Sequence, residues 1–492
     1  MEQISGLSRN ITITGLVATG ISSMIGASIY IVPFMLQKNV PGIGPYMLPA
    51  FLVAAVPALF AAICYAILSS AMPRAGGSYV YASRSIHPYW GFVASFSQWF
   101  GLSIVIGAVS YMVLPFFRDV CVTMEWSDLA DFFDKPNTRL FLSLGLLWSF
   151  ILINIVGVKT YQFTIIGLVV ITFLLASIVI FAGFIYTETD FIQAVFQKDG
   201  IQIKRDAGTF NWQQFLGASS ILFASFIGFD SIAQAGGEAK NPSKSLPKAI
   251  LITIVSVTLF YLLFTYAVYR MVPWNFVRDL ANTKDISATS LLHYVLPSFW
   301  SVLVMLGASI ALLKDLPSMV LSVSRLCFAW SKDQLFPVWL THIHPKYQSP
   351  YWAILFSGAV ASLGILGCHF ASDIFLGIDI MVISMLINFI LICFSVLLIH
   401  QYNPSLAKQI TVIKNPLLQK LIAIMGILSL GFLLFIHIKN DMATEQKAWY
   451  FHASYVCGIV MLMASFLFLL YWNRLKKTGL TKTDYFKILP AE

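Results

Sequence analysis

The chain has 492 residues, of which 58% are hydrophobic, 15% aromatic and only 11% charged, with a mean hydropathy of +0.80. A soluble globular domain carries roughly 25% charged residues, so the composition excludes that class and defines a polytopic membrane protein. The net charge of +9 is not a nucleic-acid footprint, because no basic run is interleaved with aromatics as single-strand binding requires; nucleic acid is not an expected partner.

Nothing before the first apolar run has the charged region, short core and small-residue cleavage site of a signal peptide, so residues 1–10 are expected to stay as a cytoplasmic N-terminus. Runs of about 20 apolar residues then predict twelve helices, near 11–36, 46–72, 89–117, 138–156, 161–186, 214–236, 248–272, 299–331, 351–368, 372–401, 416–438 and 447–473. Strands are excluded, since the runs are continuous and lack the two-residue alternation of a barrel. An even number of spans puts both termini on one side. The loops on that side are basic, with Lys240, Lys244 and Lys248 in one of them and Arg474, Lys476 and Lys477 after the last helix. The opposite side is acidic, with Asp119, Glu125, Asp128, Asp131 and Asp134 together. By the positive-inside rule the termini are expected in the cytoplasm and the protein in the cell (inner) membrane. The basic tail, 474–492, could touch anionic lipid, although the positive-inside bias already accounts for it. Tyr89, Trp90, Tyr471 and Trp472 read as interface anchors. Six cysteines without CxxC spacing, and scattered His87, His342 and His344, predict neither disulfide nor metal site, and no cofactor is expected.

Two spans carry helix-breaking chemistry at mid-depth. The first reads GLVATGISSMIGASIYIVP, with Gly15, Gly20 and Gly26 among small hydroxyl residues; the sixth reads FASFIGFDSIAQAGGEAKNP, with Gly228 beside Asp230. Five spans separate them, so they cross in opposite directions, as an inverted repeat of five plus five helices requires. Secondary transporters pair discontinuous helices in this way, and the leucine transporter fold is the type example of that plan. Past a break, the unpaired N–H groups of the next half-helix can hold a carboxylate; Ser28 and Ile29 follow Gly26. Unwound carbonyls around Phe226, Ile227 and Phe229 can accept from an ammonium. Glycine is also common where membrane helices pack, but two breaks at related places favour binding. An ionisable residue at this depth is a functional candidate by default.

These residues resemble the amino acid, polyamine and organocation (APC) superfamily. GISSMIGASIYIVP is similar to its first-helix motif, and FIGFDSIAQAGGEAKNPSKSLPKAI to its sixth helix and following loop. MPRAGGSYVYASRSIHPYWGF and SRLCFAWSKDQLFPVWLTHIHPKYQSP are similar to its segments after the second and eighth helices. The resemblance implies an all-α polytopic membrane protein with twelve transmembrane helices, namely a ten-helix core at 11–401 (repeats 11–186 and 214–401) with helices 11 and 12 at 402–473 outside it. It also implies secondary active amino acid transport by alternating access. The substrate carboxylate would sit on the amides of Ala27, Ser28 and Ile29, and its amino group on carbonyls of Ser22, Ser23, Phe226 and Ile227. Gly26, Met24 and Phe229 complete the expected substrate site, with Gln98 and Tyr111 of the third helix as further lining. The small and apolar residues here favour a neutral or mixed-specificity pocket, while Asp230 leaves cationic cargo open and is expected as a gate.

Coupling rests on ALLKDLPSMVLSVSR in the eighth span, with Lys314 and Asp315 about halfway along. Adjacent helical residues point about 100° apart, so each is expected to need its own partner, with Asp230 the first choice for Lys314. Sodium-using relatives hold the ion between the first and eighth helices; some proton-coupled ones put a fifth-helix lysine there, and Thr172 stands at that position in this chain. Two readings stay open: Lys314 or Asp315 supplies a titrating charge, making transport proton-coupled or exchanging and sodium-independent, or Lys314 pairs with Asp230, Asp379 or Asp315 as a static lock. Arg325, Arg74 and Glu238 are expected as an inner gate or loop anchor. The alternatives to a permease are an amino acid/amine antiporter of the glutamate/GABA-exchanger type and a membrane nutrient sensor. A membrane enzyme would need clustered catalytic groups at one depth, which the sequence lacks. The amino acid, the ion and the oligomeric state stay open.

Overall fold

The structure is a computed structural model and describes residues 6–26, 28–203, 208–283, 286–371, 375–443, 449, 452–479 and 484–490. Among the described residues, twelve helices are long and apolar enough to cross a membrane: Ile13–Lys38, Gly44–Ala71, Pro88–Thr123, Pro136–Val156, Val158–Ile185, Trp212–Gln234, Pro242–Met271, Ser298–Lys332, Tyr351–Phe370, Leu376–Tyr402, Pro416–Ala443 and Ala453–Thr478. They follow the predicted runs with ends moved by a few residues. The third is longer than its apolar run because Pro88–Thr123 continues as helix beyond the last of the predicted apolar residues, and Ser127–Asp134 then turns back against it.

Burial sorts the spans by role. In the first and sixth, 71% and 78% of the apolar window is covered by protein, whereas in the last two the figures are 22% and 28%. The broken helices therefore form the centre and the last two spans the periphery, where apolar side chains such as Leu428, Phe435, Leu462 and Phe466 remain exposed for lipid. The result is the all-α polytopic fold that the sequence predicts. The second span packs on the seventh, and the third on the ninth and tenth.

Both central helices break for identifiable reasons. The first runs Ile13–Met24, capped by the Thr12 hydroxyl, and leaves helical geometry at Ile25; helix resumes as Ser28–Asn39. In the sixth, Trp212–Leu222 tightens to a 3-10 turn at Phe223–Phe226, Ile227 is extended, and the chain resumes at Ser231–Gln234. Gly228 has φ +130, a conformation side chains rarely adopt, and a β-carbon there would run into the Ser23 carbonyl of the first break. A glycine is thus required by both dihedral and space, because the two breaks touch backbone to backbone.

The eighth span breaks as well. Ser298–Leu313 ends at Lys314 and Asp315–Lys332 follows. Pro317 has no N–H to return to the Leu313 carbonyl, which opens the ladder at that turn.

Candidate functional site

The residues flanking the first break converge on the eighth-span break. The Lys314 side chain is fully buried, and its ammonium donates to the Ser22 carbonyl at 3.0 Å and to the Ile25 carbonyl. It also pairs with Asp315 Oδ1 at 3.1 Å. In return the Ser22 hydroxyl donates to the Lys314 carbonyl at 2.6 Å. Carbonyls at the C-terminal end of a half-helix carry partial negative charge, and here a lysine ammonium neutralises it. Gly26 admits the arrangement, since a β-carbon there would lie 2.5 Å from Asp315 Oδ2.

Two expectations are corrected by this geometry. Lys314 and Asp315 do not need separate partners: Lys314 keeps a helical backbone and its N–H bonds the Ile310 carbonyl, so the two side chains start out about 100° apart, but the long, flexible lysine stem carries its ammonium round to Asp315. Lys314 does not reach Asp230, whose Oδ2 instead accepts from Gln98 Nε2 of the third span at 2.6 Å. The Ser22 hydroxyl and carbonyl are both engaged by Lys314. Thr172 is buried, and its hydroxyl bonds the Leu168 carbonyl of its own helix at 2.8 Å.

A residue not singled out from sequence ties the two breaks together. The Tyr261 hydroxyl, on the seventh span, lies 2.6 Å from the Met24 carbonyl and 2.9 Å from the Ser225 carbonyl. A phenol has one proton to give, so the two carbonyls share it. The ring packs with Phe226 and Phe51, at centroid distances of 5.5 and 5.8 Å. The available signal was a tyrosine in an otherwise apolar span, whose hydroxyl needs a partner when buried.

Of the other predicted residues, Ser28 and Ile29 begin the second half-helix, where first-turn N–H groups lack intrahelical acceptors. Met24, Phe226, Ile227 and Phe229 are buried around the breaks. Ser23 packs its carbonyl against Gly228. Ala27 lies outside the described residues. Gln98 joins the centre through Asp230, whereas Tyr111 sits near the opposite end of its helix, bonding His369 Nδ1 at 3.2 Å under the Arg139 guanidinium. Beyond Asp230, a polar chain runs on through Gln234 to Ser78 at 2.6 Å, Ser78 to Tyr65 at 2.7 Å and Asn388 to Tyr65 at 2.8 Å. It links the sixth, second and tenth spans.

On the side of the termini the spans are tied together by ion pairs and backbone bonds. Glu238 receives Arg325 at both oxygens, at 2.9 and 2.6 Å, with both side chains buried. The N-terminal segment pairs with the loop after the sixth span, Ile11 N to Glu238 O and Lys240 N to Ile11 O, each at 2.9 Å. The glycines of MPRAGGSY seat the loop helix Gly77–Ser85: Gly76 has φ +69, and a β-carbon on Gly77 would lie 2.6 Å from the Ala233 carbonyl. Arg84 on that helix forks onto Asp333, with Nη2 to Oδ1 at 2.8 Å and Nη1 to Oδ2, and the Tyr79 hydroxyl donates to the same carboxylate at 2.5 Å. Burial works against the Arg84 charge, but Asp333 more than offsets it and its pKa lies above the usual value. Burial, reinforced by Asp333, likewise pushes the Tyr79 phenol well up. Arg325 and Glu238 are therefore partners as foreseen, while Arg74 stands apart and donates to the Pro490 carbonyl at 2.9 Å.

The family model for amino acid permeases matches residues 11–465, and the chain belongs to that family, within the APC superfamily. It is similar to an uncharacterized transporter of Mycobacterium tuberculosis, 26% identical over 289 residues that make up 58% of each chain. It is also similar to the branched-chain amino acid permease of Bacillus subtilis, 28% identical over 206 residues (40% of this chain, 43% of that one). The low-affinity putrescine importer of Escherichia coli is 24% identical over 325 residues, 64% of this chain and 63% of the importer. The matched part thus spans less than two thirds of each of these relatives.

Proposed function

We propose that the protein is a secondary active transporter of amino acids or related amines, working by alternating access and independent of sodium, with protons or a counter-substrate as the driving partner. The observation that carries the reading is the Lys314 ammonium bonded to the Ser22 and Ile25 carbonyls between the first and eighth spans. A fixed cation already answers the half-helix charge there, so a metal cation would have to displace it. The site divides into a carboxylate end at the amides of Ala27, Ser28 and Ile29 and an ammonium end at the carbonyls around Met24, Ser225, Phe226 and Ile227. Met24, Phe226, Ile227 and Phe229 shape the side-chain pocket, and Asp230, Lys314 and Asp315 are the gating and coupling groups. The ten-helix core is assigned to 11–401 with repeats at 11–186 and 214–401, in a cell membrane with both termini cytoplasmic.

A second reading, exchange or uptake of amines, is favoured by Asp230. Its Oδ1 and the Oε1 of its partner Gln98 are both buried without a hydrogen-bond partner among the described residues, and relatives include a named putrescine importer. Proteoliposomes offered a panel of labelled amino acids and diamines, with proton and sodium gradients imposed separately, test both readings. Accumulation driven by protons or by a preloaded counter-substrate is expected, with the preferred cargo separating the two. Accumulation driven by sodium alone, or of no compound in the panel, overturns the proposal.

A further inference from the structure

Residues 484–490 fold back onto the core, and their hydrogen bonds and ring contacts reach four segments on the side of the termini. The Arg84 Nε donates to the Ile488 carbonyl at 3.2 Å, Arg74 Nε to the Pro490 carbonyl at 2.9 Å, and Asn403 Nδ2 to the Lys487 carbonyl at 3.0 Å. The Tyr485 hydroxyl donates to the Lys332 carbonyl at 3.3 Å. The Phe486 ring lies between the Arg84 guanidinium, 5.5 Å from its centroid, and Trp472, also at 5.5 Å. These contacts join the loop after the second span, the end of the eighth, the loop after the tenth and the end of the twelfth. A cleft of about 300 Å³ between Arg84, Asp333 and the segment marks where it bridges the gate without filling the space beneath.

The position of Arg84 gives these contacts a consequence. It is carried by Gly77–Ser85, the helix whose start closes the path through Gly76 N to Gln234 O at 3.1 Å and through the Gln234–Ser78 bond. It is also held by Asp333 at the end of the eighth span. Opening this side requires Gly77–Ser85 to part from the sixth span or from the eighth. Contacts that join the loop helix to the eighth, tenth and twelfth spans at once exist only while it has not moved. A segment that binds one state and not the other shifts the population toward the state it binds, and tethering makes its local concentration high, on the order of mM.

We propose that residues 484–490 are a latch whose docking surface is the face made by Arg74, Arg84, Lys332 and Asn403, and that the latch holds the termini-side gate closed. These contacts of the latch are made by backbone carbonyls, the Tyr485 hydroxyl and the Phe486 ring.

The test uses the full chain with Tyr485→Ala and Phe486→Ala together, which removes the anchoring rings and leaves every gate residue in place. Amide hydrogen exchange is followed over 74–85 and 234–240, with the centre of the third span as an internal control for folding. The latch predicts exchange in those two segments faster by about tenfold or more, with the control unchanged. Unchanged exchange in both segments overturns it, as does acceleration that extends equally to the control, because that reports general destabilisation. This readout needs no substrate, so its failure is distinct from failure of the transport reading. A second variant, Asn403→Cys with Lys487→Cys, fixes the segment in its docked position on oxidation. Initial uptake of the substrate found above is expected to fall at least about tenfold and to return on reduction. Uptake indifferent to the cross-link overturns the latch.

Discussion

Replacing Lys314 with methionine keeps the stem and removes the ammonium. The partners left behind are specific: the Asp315 carboxylate, whose side chain is 7% exposed, and the carbonyls of Ser22 and Ile25. Removing one partner of a buried ion pair costs about 3–5 kcal/mol, because the other charge is left uncompensated. The orphaned carbonyls act in the same direction. Lys314→Met should therefore lower the stability of the purified protein by several kcal/mol in equilibrium unfolding from mixed micelles. Adding Asp315→Leu removes the stranded charge, so the double variant should be more stable than Lys314→Met alone, with a coupling of about 1–3 kcal/mol, in the range seen for groups in direct contact. The vacated space also presents a carboxylate and two carbonyls to a small cation, so sodium, but not choline, should stabilise Lys314→Ala. If Lys314→Met unfolds within about 1 kcal/mol of wild type, or the two substitutions simply add, the ion pair does not hold the first break and the reasoning fails.

Other positions give separate checks. Gly228→Ala forces a side chain into a φ of +130 and against the Ser23 carbonyl; a loss of at least about 1–3 kcal/mol is expected, and transport should disappear even where folded protein is recovered. Tyr261→Phe leaves the Met24 and Ser225 carbonyls without their shared donor, at about 1–3 kcal/mol, and should raise KM for amino acids more than for analogues lacking the α-amino group. Equal changes for both sets would mean that the hydroxyl acts on stability alone. His87 Nδ1 accepts from Tyr89 N at 3.2 Å at the start of the third span, and burial lowers its pKa from 6.5. With the folded value below the unfolded one, its contribution is complete above about pH 6.5 and is lost as pH falls toward the folded pKa. Thermal stability should therefore drop on acidification in wild type and less so in His87→Asn, whose side-chain oxygen can still cap; identical pH profiles would exclude His87.

The fold was legible because hydrocarbon imposes its own code: twelve apolar runs became twelve spans with ends displaced by only a few residues. The breaks were legible for a related reason, since Gly228 meets a backbone demand and Gly26 a close approach to Asp315 that other residues meet badly. Pairings across the centre were less so. Lys314 and Asp315 are neighbours in sequence, and the directions of their β-carbons alone did not show that the long lysine side chain reaches back to the neighbouring carboxylate. Asp230 found Gln98 of the third span rather than a cation, a pairing across spans that the sequence alone does not fix. Tyr261 looked like one aromatic among many in an apolar run; its role exists only where three spans meet.

The central claim is that the Lys314 ammonium stands in place of a sodium ion between the first and eighth spans. The most direct measurement is initial substrate uptake by wild-type protein in proteoliposomes, at fixed pH and osmolarity, as sodium is replaced stepwise by choline on both sides. The account predicts the same rate at every sodium concentration. A rate that rises and saturates with sodium would contradict it.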